Sequence, residues 1–127
     1  MAISLQAVQG TEPDGTMRML GQLQGKELLV LVDSGSSVSF ISSQIAEGLT
    51  GIQPLSRRLS VRVANGETLC CGAIIPNCEW QVQGHKFQTT LRVLPLTSYD
   101  MILGMDWLMK HSPMSVDWSL KTITLSL

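Results

Sequence analysis

The chain has 127 residues, 44% apolar and 15% charged, with a formal net charge of −1, which suits one domain with a real core and hardly two. That balance excludes a disordered chain and gives no basic footprint for nucleic acid. No apolar run approaches the ~20 residues of a membrane-spanning helix, so no membrane partner is expected. The opening Met1-Ala2-Ile3-Ser4-Leu5 lacks the basic and apolar regions of a secretory signal.

In chain order, Ile3, Leu5 and Ala7 alternate with polar residues and predict an N-terminal edge strand; residues 10–16 then spell a loop. Residues 16–23, a turn at Gln24-Gly25-Lys26 and the apolar run Leu28-Leu29-Val30-Leu31-Val32 predict a hairpin whose second strand is buried on both faces. A helix is expected over 43–49, where Ile41, Ile45 and Leu49 recur every four residues. Arg57-Arg58, the one adjacent basic pair, is expected on a solvated loop. Leu59, Val61 and Val63 alternate up to Asn65-Gly66, and Leu69, Cys71, Ala73 and Ile75 alternate after it. Asn-Gly between alternating strands is a strong hairpin signal, because both residues tolerate the positive φ of a type I′ turn. Strands follow over 79–82 and 87–94, joined by a turn at Gln83-Gly84-His85-Lys86. A second helix begins near Asp106, placed to cap it, covers Trp107-Leu108-Met109-Lys110 and ends before Pro113. A last strand runs over 121–127, with Ile123, Leu125 and Leu127 alternating. Many short strands, two short helices and frequent glycine turns predict one all-β domain over 1–127, with a closed or barrel-like sheet.

Cys70, Cys71 and Cys78 cannot all pair within one chain, and none forms a Cys-x-x-Cys. With His85 and His111 far apart in sequence, no metal site is expected, and the thiols read as reduced and structural. Free thiols and the missing export signal together predict an intracellular location.

Asp33 is the acid that needs explaining. A buried strand delivers it to the turn Ser34-Gly35-Ser36-Ser37, where Gly35 permits close backbone approach. Two readings are open on these residues alone: a turn aspartate bonding its own backbone, or a carboxylate held for chemistry.

A second segment adds weight to the chemical reading. Leu31-Val32-Asp33-Ser34-Gly35 resembles the active-site turn of retropepsins, the aspartic proteases of retroviruses and LTR retrotransposons. Ile102-Leu103-Gly104-Met105-Asp106-Trp107-Leu108 resembles that family's later strand-to-helix segment, nearest to its gypsy-type branch. The resemblance covers residues 17–127 and implies a retropepsin-like, barrel-like subunit with a flap hairpin. It implies that Asp33 is the catalytic carboxylate, that the Ser34 hydroxyl bonds across a dimer, and that Gly35 lets two active-site loops meet. It further implies that the Ser36 hydroxyl can bond the catalytic carboxylate. Asn65 and Gly66 would form the flap tip over substrate, and Ile102 would line a substrate pocket or serve as an ordinary core residue. Where retroviral enzymes place an arginine after Gly104, this chain has Met105, so that family's arginine contacts at the dimer are absent.

Peptide hydrolysis by carboxylates needs two of them around one water, one ionised and one protonated. Asp100 follows a loop signal and Asp106 fits a helix cap, so each has a structural explanation within the chain. A homodimer supplies a second Asp33 through a twofold axis. The expected activity is therefore that of a homodimeric aspartic endopeptidase with a mildly acidic optimum, needing neither metal nor organic cofactor. It would cut peptide or polyprotein substrates, in the cytoplasm or a virus-like particle. Family members often build the dimer from interleaved chain ends, which would use the strand over 123–127; pairing of that strand within one subunit is the alternative. A catalytically silent retropepsin-like dimerisation or protein-interaction module is the rival reading, because folds outlive their chemistry.

Overall fold

The structure is a computed structural model that describes residues 2–8, 16–62 and 67–126. In chain order the elements are β1 (Ala2–Gln6), β2 (Thr16–Leu23), β3 (Lys26–Asp33), β4 (Phe40–Ser42) and α1 (Ser43–Ala46). They continue with β5 (Gln53–Arg62), β6 (Thr68–Val82), β7 (His85–Leu94), β8 (Met101–Leu103), α2 (Met105–Lys110), β9 (Met114–Asp117) and β10 (Thr122–Ser126).

The hairpins follow from local chemistry. β2 and β3 pair antiparallel down to Leu23↔Lys26, leaving Gln24 and Gly25 as a two-residue turn with φ of 48° and 80°. β6 and β7 repeat the device at Gln83 and Gly84, with φ of 50° and 82°. Positive φ at both central residues matches the right-handed twist of the flanking strands. Glycine takes the second position of each turn at no steric cost.

A seven-stranded sheet runs β2-β3-β8-β4-β7-β6-β5. A further bridge between β2 and β6, Gln22↔Gln81, closes six of these strands into a ring and leaves β5 outside it. The amide of Gln81 donates to the Gln22 side-chain oxygen at 3.0 Å and reinforces that seam. Short β8 lies between β3, which it parallels, and β4, which it opposes. Residues far apart in sequence thus meet at the centre of the sheet.

Two apolar clusters follow from strand alternation. Met101 and Leu103 of β8 point into the main core with Met19, Val30, Trp80 and Trp107. Ile102, between them, joins a smaller cluster built on Phe40, Cys71 and Leu94. In the main core Trp80 stacks on Phe87 with centroids 5.0 Å apart, and its indole N–H donates to the Thr89 hydroxyl at 2.9 Å. The run from Leu28 to Val32 is buried on both faces save for half-buried Leu29, as its unbroken apolar pattern predicts.

Several expectations are corrected. α1 stops at Ala46 instead of Leu49, because the chain tightens into three-residue bonds, Gly48 N–H to Ile45 and Leu49 N–H to Ala46. Arg57 and Arg58 stand in β5 instead of a loop, at a register shift between Pro54 and Leu59. Residues 69–75 and 79–82 belong to one strand, β6, because Pro76-Asn77 forms a bulge in it where a break was expected. α2 begins at Met105 with Gly104 as its cap residue, so Asp106 lies inside the first turn, where its carboxylate still accepts one backbone N–H, that of Trp107. For the last strand, where the sequence left two readings open, β10 pairs within the chain with β1 and β9, in a separate three-stranded antiparallel sheet. Asn65 and Gly66 lie outside the described residues; the strands that lead to them pair antiparallel up to Arg62↔Thr68.

Candidate active site

β3 ends on Asp33, half-buried, and the chain turns through exposed Ser34 and Gly35. The Gly35 N–H donates to Asp33 Oδ1 at 2.8 Å, and the Ser36 N–H donates to the Asp33 carbonyl at 3.1 Å. The first bond orients the carboxylate and the second closes the turn. An added Cβ at Gly35 would lie 3.2 Å from Asp33 Oδ1, tight enough to push on the carboxylate. The Ser36 hydroxyl donates to the Val38 carbonyl at 2.7 Å. Its expected bond to the Asp33 carboxylate is therefore not made: the nearer backbone acceptor has taken the proton.

The turn is held from behind by the segment that follows β8. The Met105 N–H donates to the Ser36 carbonyl at 2.7 Å and the Asp106 N–H to the Ser37 carbonyl at 3.2 Å. These are N–H groups of the first helical turn, which have no acceptor within the helix. Ser39, fully buried, is clasped by the Asp106 side chain: its hydroxyl donates to Oδ1 at 2.6 Å and its N–H to Oδ2 at 3.1 Å. The same Ser39 oxygen accepts the Gly104 N–H at 3.1 Å, and Asp106 Oδ1 also accepts the Trp107 N–H at 2.7 Å. Gly104 must be glycine for contact reasons, since a Cβ there would lie 2.6 Å from the Ser36 carbonyl oxygen and closer still to that of Val38. Sequence reasoning missed Ser39 and gave Asp106 a capping role; the spacing of 67 residues between them carries no local signal.

The other acids near the sheet centre are occupied. Asp100 Oδ2 accepts the Leu29 N–H at 2.8 Å, while its own N–H donates to the Leu29 carbonyl at 3.0 Å. Asp100 thereby extends the β3–β8 pairing by one rung. With Asp106 bound to Ser39, neither carboxylate can serve as a second acid beside Asp33.

Ile102 packs against the smaller cluster of Phe40, Cys71 and Leu94, as do partly buried Val38, Val61 and Leu69. Val38 follows the Asp33 turn, Val61 stands on β5 and Leu69 on β6. Ile102 therefore belongs to an apolar wall shared by β4, β5, β6 and β8. Ser34 lies elsewhere, on the rim of a groove of about 260 Å³ between α2 and β9. Among the described residues, no three His, Cys, Asp or Glu side chains gather where they could hold a metal ion. None of their helices is long and apolar enough to cross a membrane.

The closed ring, the β3–β8–β4 centre and the clasped Asp33 turn define the fold of retropepsin-like aspartic proteases. A retropepsin-like aspartic protease from Rickettsia conorii matches with a TM-score of 0.59 at 19% identity, over 98% of this chain and 90% of that one. The retroviral protease-like domain of Ddi1 from Leishmania major matches with a TM-score of 0.67 at 24% identity, over 86% of each. EIAV protease, in complex with the inhibitor HBY-793, matches with a TM-score of 0.56 at 17% identity, over 80% of this chain and 93% of that one. The comparison with curated proteins gave no match. The model of the PEG10/RTL1 protease domain matches residues 29–126, and the chain belongs to that retrotransposon-derived family.

Proposed function

We propose that the chain is one subunit of a homodimeric aspartic endopeptidase in which Asp33 of each copy activates one water. The observation that carries this reading is the division of labour among the acids. Asp33 stands in an exposed turn, whereas Asp100 and Asp106 are spent on backbone and on Ser39. One water held between two Asp33 carboxylates would lose a proton to the ionised one as it attacks the peptide carbonyl. The protonated one would donate to the carbonyl oxygen. The two share one proton because like charges at close range cannot both ionise. Ser34 and Gly35 support the turn, the Asn65-Gly66 hairpin covers the substrate, and the wall containing Ile102 receives apolar side chains. The natural substrate on this reading is a retroelement polyprotein, processed inside the cell.

Cleavage of a denatured protein at mildly acidic pH, measured over a range of chain concentrations beside Asp33→Asn, tests the reading. Activity that rises faster than linearly and vanishes in the variant supports it. Equal cleavage by parent and variant refutes the role of Asp33. A dimer without turnover favours the silent interaction module.

A further inference from the structure

We propose that the outer face of the paired strands β5 and β6 docks an acidic, extended peptide segment, held by the guanidinium groups of Arg58 and Arg62. This face is turned away from the wall that contains Ile102, and the proposal stands whether or not the chain is an enzyme.

Strand register sorts the side chains. Leu59 lies opposite Cys71 and Val61 opposite Leu69, and Cys71, Val61 and Leu69 all belong to the smaller apolar cluster. Between these pairs, Ser60 lies opposite Cys70 and Arg62 opposite Thr68. Successive residues of a strand point to opposite faces, so Ser60, Arg62, Thr68 and Cys70 share the outer one. All four are exposed, whereas Cys71 is buried. Arg58 joins them. Its Nε lies 3.6 Å from where a Cβ on Gly72 would stand, and its Nη1 lies 3.9 Å from Cys70 Sγ. Gly72, with no side chain of its own, leaves a shelf on which the Arg58 stem rests. Part of the entropy cost of ordering that long side chain is therefore met before any ligand arrives.

The charge on this face has one sign. Between Glu47 and Glu67 the sequence has three arginines, Arg57, Arg58 and Arg62, and no acid, and β6 carries no acid until Glu79. Among the described residues no ion pair joins any of the three to a carboxylate; Glu79 itself is paired with Lys86, at 3.8 Å. A thiol sulfur is a weak acceptor, so Arg58 keeps most of its five N–H donors for an oxyanion. The planar fork of a guanidinium matches the two oxygens of a carboxylate.

Spacing selects the form of the partner. Arg58 and Arg62 stand four residues apart on one strand, about 13 Å. An extended peptide repeats its side chains on one face every second residue, so acids at alternate positions meet both arginines in one register. A nucleic acid fits this face less well. Its affinity grows with the number of phosphates neutralised, and here two guanidinium groups stand on a chain whose net charge is −1. No long-range field draws in a polyanion, so recognition rests on close bidentate contacts.

The test uses the full chain carrying Asp33→Asn, so that no cleavage enters the readout, and a short fluorescein-labelled peptide of alternating glutamate and threonine. Anisotropy is expected to show this peptide bound about tenfold or more tighter than its counterpart with glutamine in place of glutamate. Arg58→Gln and Arg62→Gln should each raise the Kd about fivefold, and the two together about twentyfold. Lys110→Gln, the same loss of charge on α2, should leave the Kd unchanged. Urea midpoints check that the variants fold; should Arg58→Gln fail, Arg62→Gln decides. Bound peptide should also slow thiol labelling of exposed Cys70, which lies against Arg58, and should not do so in the double variant. Four results would each overturn the proposal: no binding of the glutamate peptide, equal affinity for both peptides, arginine variants that bind as the reference chain does, or tighter binding of a single-stranded oligonucleotide of equal charge through the same arginines.

Discussion

Replacing Asp106 tests whether the Asp33 turn depends on a clasp 67 residues away. In Asp106→Ala the Ser39 hydroxyl, the Ser39 N–H and the Trp107 N–H all lose their side-chain acceptor. Ser39 is fully buried, so its donors cannot simply turn to solvent. A bond to a carboxylate contributes about 1.5–3 kcal/mol net when shielded. Asp106 itself is exposed, so water can replace part of each bond and the low end of that range applies. The Trp107 N–H keeps the Gly104 carbonyl at 3.1 Å, so the two Ser39 bonds, at about 1.5 kcal/mol each, set the expected loss for Asp106→Ala at about 3 kcal/mol. For Asp106→Asn, which keeps one oxygen for Ser39, it is about 1 kcal/mol. With a urea slope of about 2 kcal/mol per molar, the alanine variant's midpoint should fall by about 1.5 M. Tryptophan fluorescence reports the transition, since Trp80 and Trp107 both lie in the main core. A double-mutant cycle with Ser39→Ala should return a coupling of about 1 kcal/mol or more. A loss under about 0.5 kcal/mol for Asp106→Ala, or additive single variants, would refute the clasp as a determinant of the turn.

Gly104→Ala should destabilise by about 2 kcal/mol or more, measured by the same denaturation, because its Cβ meets two backbone carbonyls that cannot rotate away. A pH series should expose His111, whose pKa burial, and secondarily Lys110, push below 6.5. The unfolded chain then takes the proton first, so stability is full above about 6.5 and declines as pH falls through the window beneath it. His111→Phe, which keeps an aromatic ring against Phe87 and Trp107, should flatten that part of the profile in a urea-midpoint titration. Thiol labelling of the native chain should strike exposed Cys70 first. Cys78, whose thiol burial pushes up, and buried Cys71 should react only on unfolding, and mass spectrometry of time points reads the order.

The parts of the fold legible in the sequence are those specified by neighbours. The Gln24-Gly25 and Gln83-Gly84 turns, the doubly buried Leu28 to Val32 run and the alternation around Ile123 need only short-range pattern. What escaped is set by partners far along the chain. β4 has three residues and exists because β7 and β8 flank it. β9 has four and is defined by β10, while Arg57-Arg58 become strand only because β6 lies alongside. Asp33 stood out as an acid after an apolar strand, yet the Ser36 hydroxyl chose Val38, a geometric matter that no motif encodes. The Ser39–Asp106 pair was invisible because neither residue is unusual where it stands.

The clasp also sets a timetable for synthesis. Closing a loop of 67 residues costs on the order of 4 kcal/mol in chain entropy, which the Ser39–Asp106 bonds alone do not offset. Asp33 leaves the ribosome before β8 and α2, and the turn that holds it cannot set until Trp107 has followed and β8 has slipped between β3 and β4. A growing chain therefore carries Asp33 for some seventy residues before its carboxylate acquires a fixed place. Whatever chemistry the turn performs waits for β8 and the first turn of α2.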